Sequence, residues 1–184
     1  MIKTIVVENT YERRAYFGEY NIPQRDIIDL ENLGTVKIKN DNETDILFSF
    51  TPIDEPEREM DFSAVKAETI PESIELDLLC RTWRTVACTE EEHIGSLLFI
   101  SSAGTYFFTD PEGRSNSLSR WRWYNDEKEE FDYSHDNWVH YGRVEIIDLS
   151  LDSLKIFDPG FNSIIPGYSR AGLNIFWEFV PIGN

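Results

Sequence analysis

The sequence predicts a mainly β protein: an eight-stranded up-and-down antiparallel barrel, preceded by a small α+β or β-hairpin N-terminal region. Three observations predict it. After Pro71, eight short apolar segments follow one another at regular spacing, joined by turn residues and with no long helical stretch. Successive segments are separated by only a few polar residues, which favours a meander over a Greek key. The stretch LLFISSAGTYFF (97–108) is apolar on both faces of both its strands. An open sandwich leaves one face of each strand to water. A small closed barrel fills its interior with one face and lets a neighbouring segment cover the other; the same apolarity also fits a dimer contact or a sheet packed on the N-terminal part.

Taken in order, IKTIVV (2–7) reads as a strand. Ile27, Ile28, Leu30 and Leu33 have near-helical spacing, with Asp26 as a cap and Gly34 as a stop, so a short helix is expected there. Val36 and Ile38 alternate with lysines, NDNE turns the chain, and Ile46, Phe48 and Phe50 alternate again, giving a β-hairpin over 36–51. TPIDEPEREMD is a charged, proline-bearing loop, and AETIPESIELD is a connector with one helical turn. Residues 1–72 thus form an N-terminal region available to pack on the barrel, and 73–184 the barrel domain.

The barrel strands start with LLCRTWRTVACT (78–89), expected as one long strand. GSLLFIS and TYFFTD pair around Gly104, whose backbone freedom suits a tight turn. SRWRWYN pairs with EEFDY around DEK, and RVEIIDLS with SLKIFD around LD. A loop rich in Pro and Gly leads to the closing strand LNIFWEFVPI.

The 184 residues include 34 acids against 17 bases, a net charge of −17. Residues 1–72 hold 16 acids and 8 bases and the remainder 18 and 9, so the excess is not a tail. Such a surface repels phosphate backbones and anionic membranes, which disfavours nucleic acid, and it suits a basic protein partner. Cys80 and Cys88 on one strand would lie about 26 Å apart, beyond disulfide reach, and unpaired thiols suit a reducing compartment. No segment has transmembrane length, so membrane insertion is not expected. The chain as it stands reads as cytoplasmic; a secreted or periplasmic chain trimmed of its leader would read the same.

From Leu78 to Ile182 the chain resembles the lipocalin-like domains of many bacterial proteins, members of the calycin group of small barrels. The resemblance is carried by LLCRTWRTVACT with Trp83, by LLFISSAGTYFF, by RWRWYN, by RVEIIDLSLDSLKIFD and by FWEFVPI. Two positions depart from the family pattern. Arg81 stands where a glycine precedes the first-strand Trp, and the nearest candidate for the basic residue over that Trp is Arg170, in a loop. The resemblance implies a barrel that holds a small apolar or aromatic ligand without catalysis.

Arg120 to Tyr124 alternate base and aromatic, so on a strand Trp121 and Trp123 point one way and the arginines the other. The expected lumen lining is Trp83, Phe99, Tyr106, Trp121, Trp123, Phe131, Tyr133 and Trp177. These side chains either wall a ligand or fill the lumen themselves. In the second case the protein is an acidic interaction module, for instance a neutralising partner of a basic protein.

No metal and no cofactor is expected. Glu90, Glu91 and Glu92 are adjacent and would not converge from a strand. His135, Asp136 and His140 have metal-like content without the spacing of a zinc site. DNETDI lacks the glycine and closing glutamate of a calcium loop. No nucleophile elbow, phosphate loop or dinucleotide fingerprint is present, so the expectation is a non-enzyme. Asp132 and Glu178 are the carboxylates that an enzyme reading would place inside the barrel.

Overall fold

The computed structural model describes residues 4–9, 14–42, 44–65, 69–112, 115–136, 138–163, 172 and 174–182, with backbone alone at 4–9, 14–19, 115–117, 161 and 163. Contacts divide the chain into two units. Residues 16–68 carry the first and 69–184 the second, with the short leading stretches shared out as 1–7 and 8–15. The Arg170 that the resemblance invoked lies outside the described residues.

In the first unit, strands β1 (Thr4–Asn9), β2 (Arg14–Gln24), β3 (Ile27–Leu30), β4 (Gly34–Asp41), β5 (Asp45–Pro52) and β6 (Met60–Val65) form one sheet in chain order. The hairpin expected over 36–51 is β4–β5, with Val36 opposite Phe50 and Ile38 opposite Phe48. The helix expected after Asp26 is corrected. Ile28 pairs with Val36 and Leu30 with Gly34, across a turn in which Asn32 takes a φ of 59°. Four apolar residues make too short a run to overcome helix nucleation, and cross-strand pairing takes them instead.

The second unit begins with helix α1 (Ile74–Leu79). The Ser73 hydroxyl accepts from the Leu76 backbone N–H at 3.1 Å, an N-cap. The long strand expected from residue 78 is therefore shortened: Leu76 and Leu79 use their three-residue spacing to bury one helical face, and β7 spans Thr82–Cys88. The remaining elements are β8 (Leu97–Ile100), β9 (Thr105–Thr109), β10 (Ser115–Trp123), β11 (Glu130–Ser134), β12 (His140–Leu149), β13 (Leu154–Asp158), β14 (Phe161–Ser163) and β15 (Ile175–Pro181).

Eight of these strands make a closed antiparallel ring. The order is β7-β8-β9-β10-β11-β12-β13-β15, and β15 returns to β7 with Pro181 opposite Trp83. Strand β14 continues the edge of β12 that β13 occupies, Phe161 standing opposite Gly142 and Phe157 opposite Glu145. The up-and-down barrel read from the sequence is the observed fold, as the resemblance implied.

The two-faced apolarity of residues 97–108 resolves strand by strand. Leu98 and Ile100 point into the barrel, as do their cross-strand partners Phe108 and Tyr106. Leu97, Phe99 and Phe107 point outward, yet Phe107 is only 1% exposed. Gly104 makes the turn at φ 79°, its N–H donating to the Ser101 carbonyl.

Helix α1 seals one end of the ring. Leu76 and Leu79 join the barrel core, and the Trp83 indole N–H donates to the Leu79 carbonyl at 3.0 Å. Arg81 sits 5.3 Å from the centre of the Trp83 ring and donates to the carbonyls of Leu151 and Asp77. The cation over the first-strand Trp is thus supplied two residues before it, at the position where the departure from the family pattern stood. Lys128 meets Glu75 at 3.4 Å, tying the β10–β11 turn to the helix.

Toward the end of the barrel away from α1, Gly142 faces Tyr133 across β11–β12, and a Cβ there would lie 2.3 Å from the Tyr133 ring. All five tryptophans lie between residues 83 and 177, so indole fluorescence reports on the barrel unit. Gly142→Ala is expected to lower barrel stability by about 1–3 kcal/mol through overpacking. Urea unfolding followed by Trp fluorescence measures it, and an unchanged midpoint would contradict the tight Gly142–Tyr133 contact.

Candidate functional site

The end of the barrel away from α1 is where β7 leads into β8, β9 into β10, β11 into β12 and β13 onward to β15, and its described residues include 89–96, 110–112, 135–136, 138–139 and 159–160. There the interior is both aromatic and polar, and alternation explains which side chains reach it. On β13, Leu154 and Ile156 are buried in the core, so Asp158 shares their inward face. Its carboxylate accepts from the Tyr133 hydroxyl at 2.9 Å and from the Gly160 backbone N–H at 2.8 Å. No basic side chain pairs with it among the described residues. Tyr133 stacks on Tyr106, with ring centres 4.7 Å apart and planes within 12°.

Burial raises the Asp158 pKa above the usual carboxylate value, against the opposing pull of the Gly160 N–H and the Tyr133 hydroxyl. Burial also raises both tyrosines, and the Asp158 charge adds to it. The phenols therefore remain protonated donors at neutral pH. Nearby, Ser119 is buried and its hydroxyl lies 2.6 Å from His135 Nδ1. His93 packs 5.1 Å from the Trp177 ring and edge-on to Phe108. Two interior hydroxyls, Thr85 Oγ1 and Ser96 Oγ, are buried with no hydrogen-bond partner.

Seven of the eight residues read from the sequence as lumen lining face the interior. Trp83, Tyr106, Trp121, Phe131 and Tyr133 belong to the buried core, and Trp123 and Trp177 pack against it partly buried. Phe99 does not join them, because it faces outward between Leu98 and Ile100. Trp83 and Trp121 sit toward the helix-sealed end, where the Trp121 indole N–H donates to the Ser101 carbonyl at 2.8 Å. Tyr133 and Trp177 belong to the loop end. Trp123 Nε1 is buried without a partner.

The carboxylates singled out as interior candidates lie on the outer wall. Asp132 stands between cross-strand neighbours Arg122 and Arg143. Arg143 binds it at 2.9 and 3.4 Å and Arg122 approaches to 3.7 Å. Arg143 covers the Tyr124 ring at 3.1 Å and Arg122 the Trp138 ring at 4.0 Å. Glu178 pairs with Lys155 at 3.3 Å. Both therefore serve the wall, and the inward carboxylate is Asp158, which the sequence reading passed over. Its signal was available: SLKIFD places Leu, Ile and Asp on one face just before Pro-Gly.

The other groups weighed for metal or redox chemistry fall out as follows. His140 Nδ1 meets Asp136 at 2.6 Å while His135 turns to Ser119, so the two histidines diverge. Glu90, Glu92 and His93 lie around a 3-10 turn (Glu91–His93) and not on a strand, which brings one donor atom from each within 4.8 Å. Adjacent residues diverge on a strand, whereas this turn brings them together. His93 Nε2 itself meets Glu90 at 3.2 Å. Both cysteines are free, and burial pushes the Cys80 thiol up to about 12, which leaves it unreactive.

Two concavities lie away from the lumen. A depression of about 250 Å³ on the barrel wall is lined by Cys88, Ile147, Lys155, Phe176, Trp177 and Glu178. An open cleft of about 660 Å³ on the N-terminal sheet is lined by Tyr20, Asp29, Leu30, Thr51, Pro52 and Ile53 among others. No described helix is long and apolar enough to cross a membrane. The chain matches no family model, and no curated protein matches it.

The raised pKa of Asp158 has a signed consequence. Its folded-state value lies above its unfolded value, so the stability it contributes is present below the usual carboxylate range. That stability is lost as pH rises through the raised value. Asp158→Asn, which cannot ionise, is expected to gain stability relative to the parent as pH climbs from about 3.5 to 7. Urea midpoints across that range measure the difference, and a gap independent of pH would contradict it.

Proposed function

We propose that the protein is a non-enzymatic, lipocalin-like binding protein whose barrel receives a small ligand with an apolar or aromatic body at the loop end. The observation that carries this reading is the unfinished polar lining beside an aromatic wall. Thr85 Oγ1 and Ser96 Oγ are buried without partners, and Asp158 is an inward carboxylate with no cation beside it among the described residues. An unmet buried polar atom costs about 1–3 kcal/mol. A ligand or trapped water that completes these bonds removes that cost. Tyr106, Tyr133 and Trp177 offer ring faces for stacking in the same region.

One feature supports binding without turnover: Asp132 and Glu178, the carboxylates an acid–base pair would have used, are engaged by basic side chains on the outer wall.

Native mass spectrometry of the purified protein, then titration with 1-aminoanthracene, a neutral aromatic fluorophore, tests the reading. The expected outcome is a saturable rise in probe emission with quenching of the indoles, and roughly tenfold weaker binding in Trp177→Ala. Absence of any retained mass and of any probe response would overturn it. That result would leave the alternative, an acidic module with a side-chain-filled barrel that docks a basic protein.

A further inference from the structure

We propose that the ligand is an organic cation, an amine borne on an aromatic or apolar body, with Asp158 as its counter-ion and the Tyr106–Tyr133 stack as its π wall. This rests on the reading of the barrel as a ligand holder and adds the chemistry of the occupant.

Asp158 carries the argument. It lies on the inward face of β13 and accepts two hydrogen bonds, from the Tyr133 hydroxyl and the Gly160 N–H. An ionised carboxylate offers about four lone-pair sites, so two remain. The outer-wall carboxylate Asp132, buried to a similar degree as its neighbours on β11, is held between two arginines. The contrast is specific: the wall carboxylate has its cations and the interior one has none among the described residues. An ammonium group placed beside Asp158 supplies what Arg122 and Arg143 supply outside. The adjoining tyrosine faces add attraction for the same charge.

A second observation points the same way independently. The net charge is −17, and the four connections at this end hold six acids (Glu90, Glu91, Glu92, Asp110, Glu112, Asp136) against two arginines. A negative field at the approach raises the local concentration of cations and lowers that of anions such as fatty carboxylates. The histidines of these connections, His93 and His135, engage Glu90 and Ser119 respectively.

The test compares three ligands of matched shape: 2-(1-naphthyl)ethylamine, 1-naphthaleneethanol and 1-naphthaleneacetate. Each is measured against full-length protein by calorimetry and by displacement of 1-aminoanthracene. The expected order is amine first by roughly tenfold over the alcohol, with the carboxylate weakest. In Asp158→Asn, checked for folding by near-ultraviolet circular dichroism, the amine-to-alcohol ratio falls to near one. Repeating the series at about 0.5 M salt separates the two contributions, because diffuse surface attraction is screened and a contact pair persists. Equal affinities, a preference for the carboxylate, or an amine preference that survives Asp158→Asn would overturn the proposal and leave the barrel reading standing. If 1-aminoanthracene and all three ligands fail to bind, the barrel reading falls and this inference with it. Should Asp158→Asn not fold, the order among the three ligands on the parent protein decides alone.

Discussion

The barrel depends on one indole. Trp83 sits where the first ring strand meets the last, opposite Pro181, and its N–H is bound to the carbonyl that ends α1. The helix is six residues long and could not stand alone in water. It holds because Leu76 and Leu79 bury against the barrel and because the Trp83 indole joins the Arg81 backbone N–H on the Leu79 carbonyl at the helix terminus. Arg81 then clamps the assembly, reaching from the Trp83 face to the turn at Leu151. Ring closure and end closure are therefore the same event. An eight-stranded ring leaves little space, and sealing one end with Leu and Trp commits what remains to the other.

Alternation along each strand sorts the charges into two classes with opposite fates. On the outer face, a ladder of Arg122, Asp132 and Arg143 crosses three strands and is covered by the rings of Tyr124 and Trp138. Stacked guanidinium planes and a nearly buried carboxylate give that wall a fixed geometry, which loose surface pairs such as Lys155–Glu178 do not. On the inner face the same residue type has no such support. Asp158 is held by a phenol and one amide, and its neighbours are aromatic. The parity of a single residue position decides between a completed ion pair and an incomplete one.

This parity also marks how much was legible in the sequence. The regular spacing of apolar segments and their turn residues was enough for the number, order and direction of the barrel strands, because hairpin pairing is local and its register follows from the turn. The helix expected after Asp26 failed because four apolar residues fit a strand as readily as one helical turn, and the partner strand at Val36 decided it. The start of β7 was missed for the converse reason: Leu78 and Leu79 look like strand residues until Leu76 and the Ser73 cap are read with them. Phe99 was placed inside because both faces of its strand are apolar, and composition says nothing about parity there. The hydrophobic side of the candidate site was readable as aromatic content. Its polar side was not, since Asp158 is one acid among 34 and gains its meaning from Tyr133, twenty-five residues away on another strand.

Placing a carboxylate inside a small barrel works against folding at neutral pH, where ionisation must occur in a poorly hydrated site. The rest of the chain deepens that cost, because a net charge of −17 disfavours one more negative charge anywhere in its field. A phenylalanine or leucine at position 158 would continue the face that Leu154 and Ile156 begin and would remove the charge, while leaving the Tyr133 hydroxyl and the Gly160 N–H without their acceptor. What the fold gains from this acid is an acceptor for the Tyr133 hydroxyl and the Gly160 N–H, which a neutral amide would also supply. The cost is relieved in two ways, by retention of the proton, as the raised pKa reflects, or by a partner for the charge. The described residues place no cation beside it, and a cation is what the proposed ligand would bring to that position.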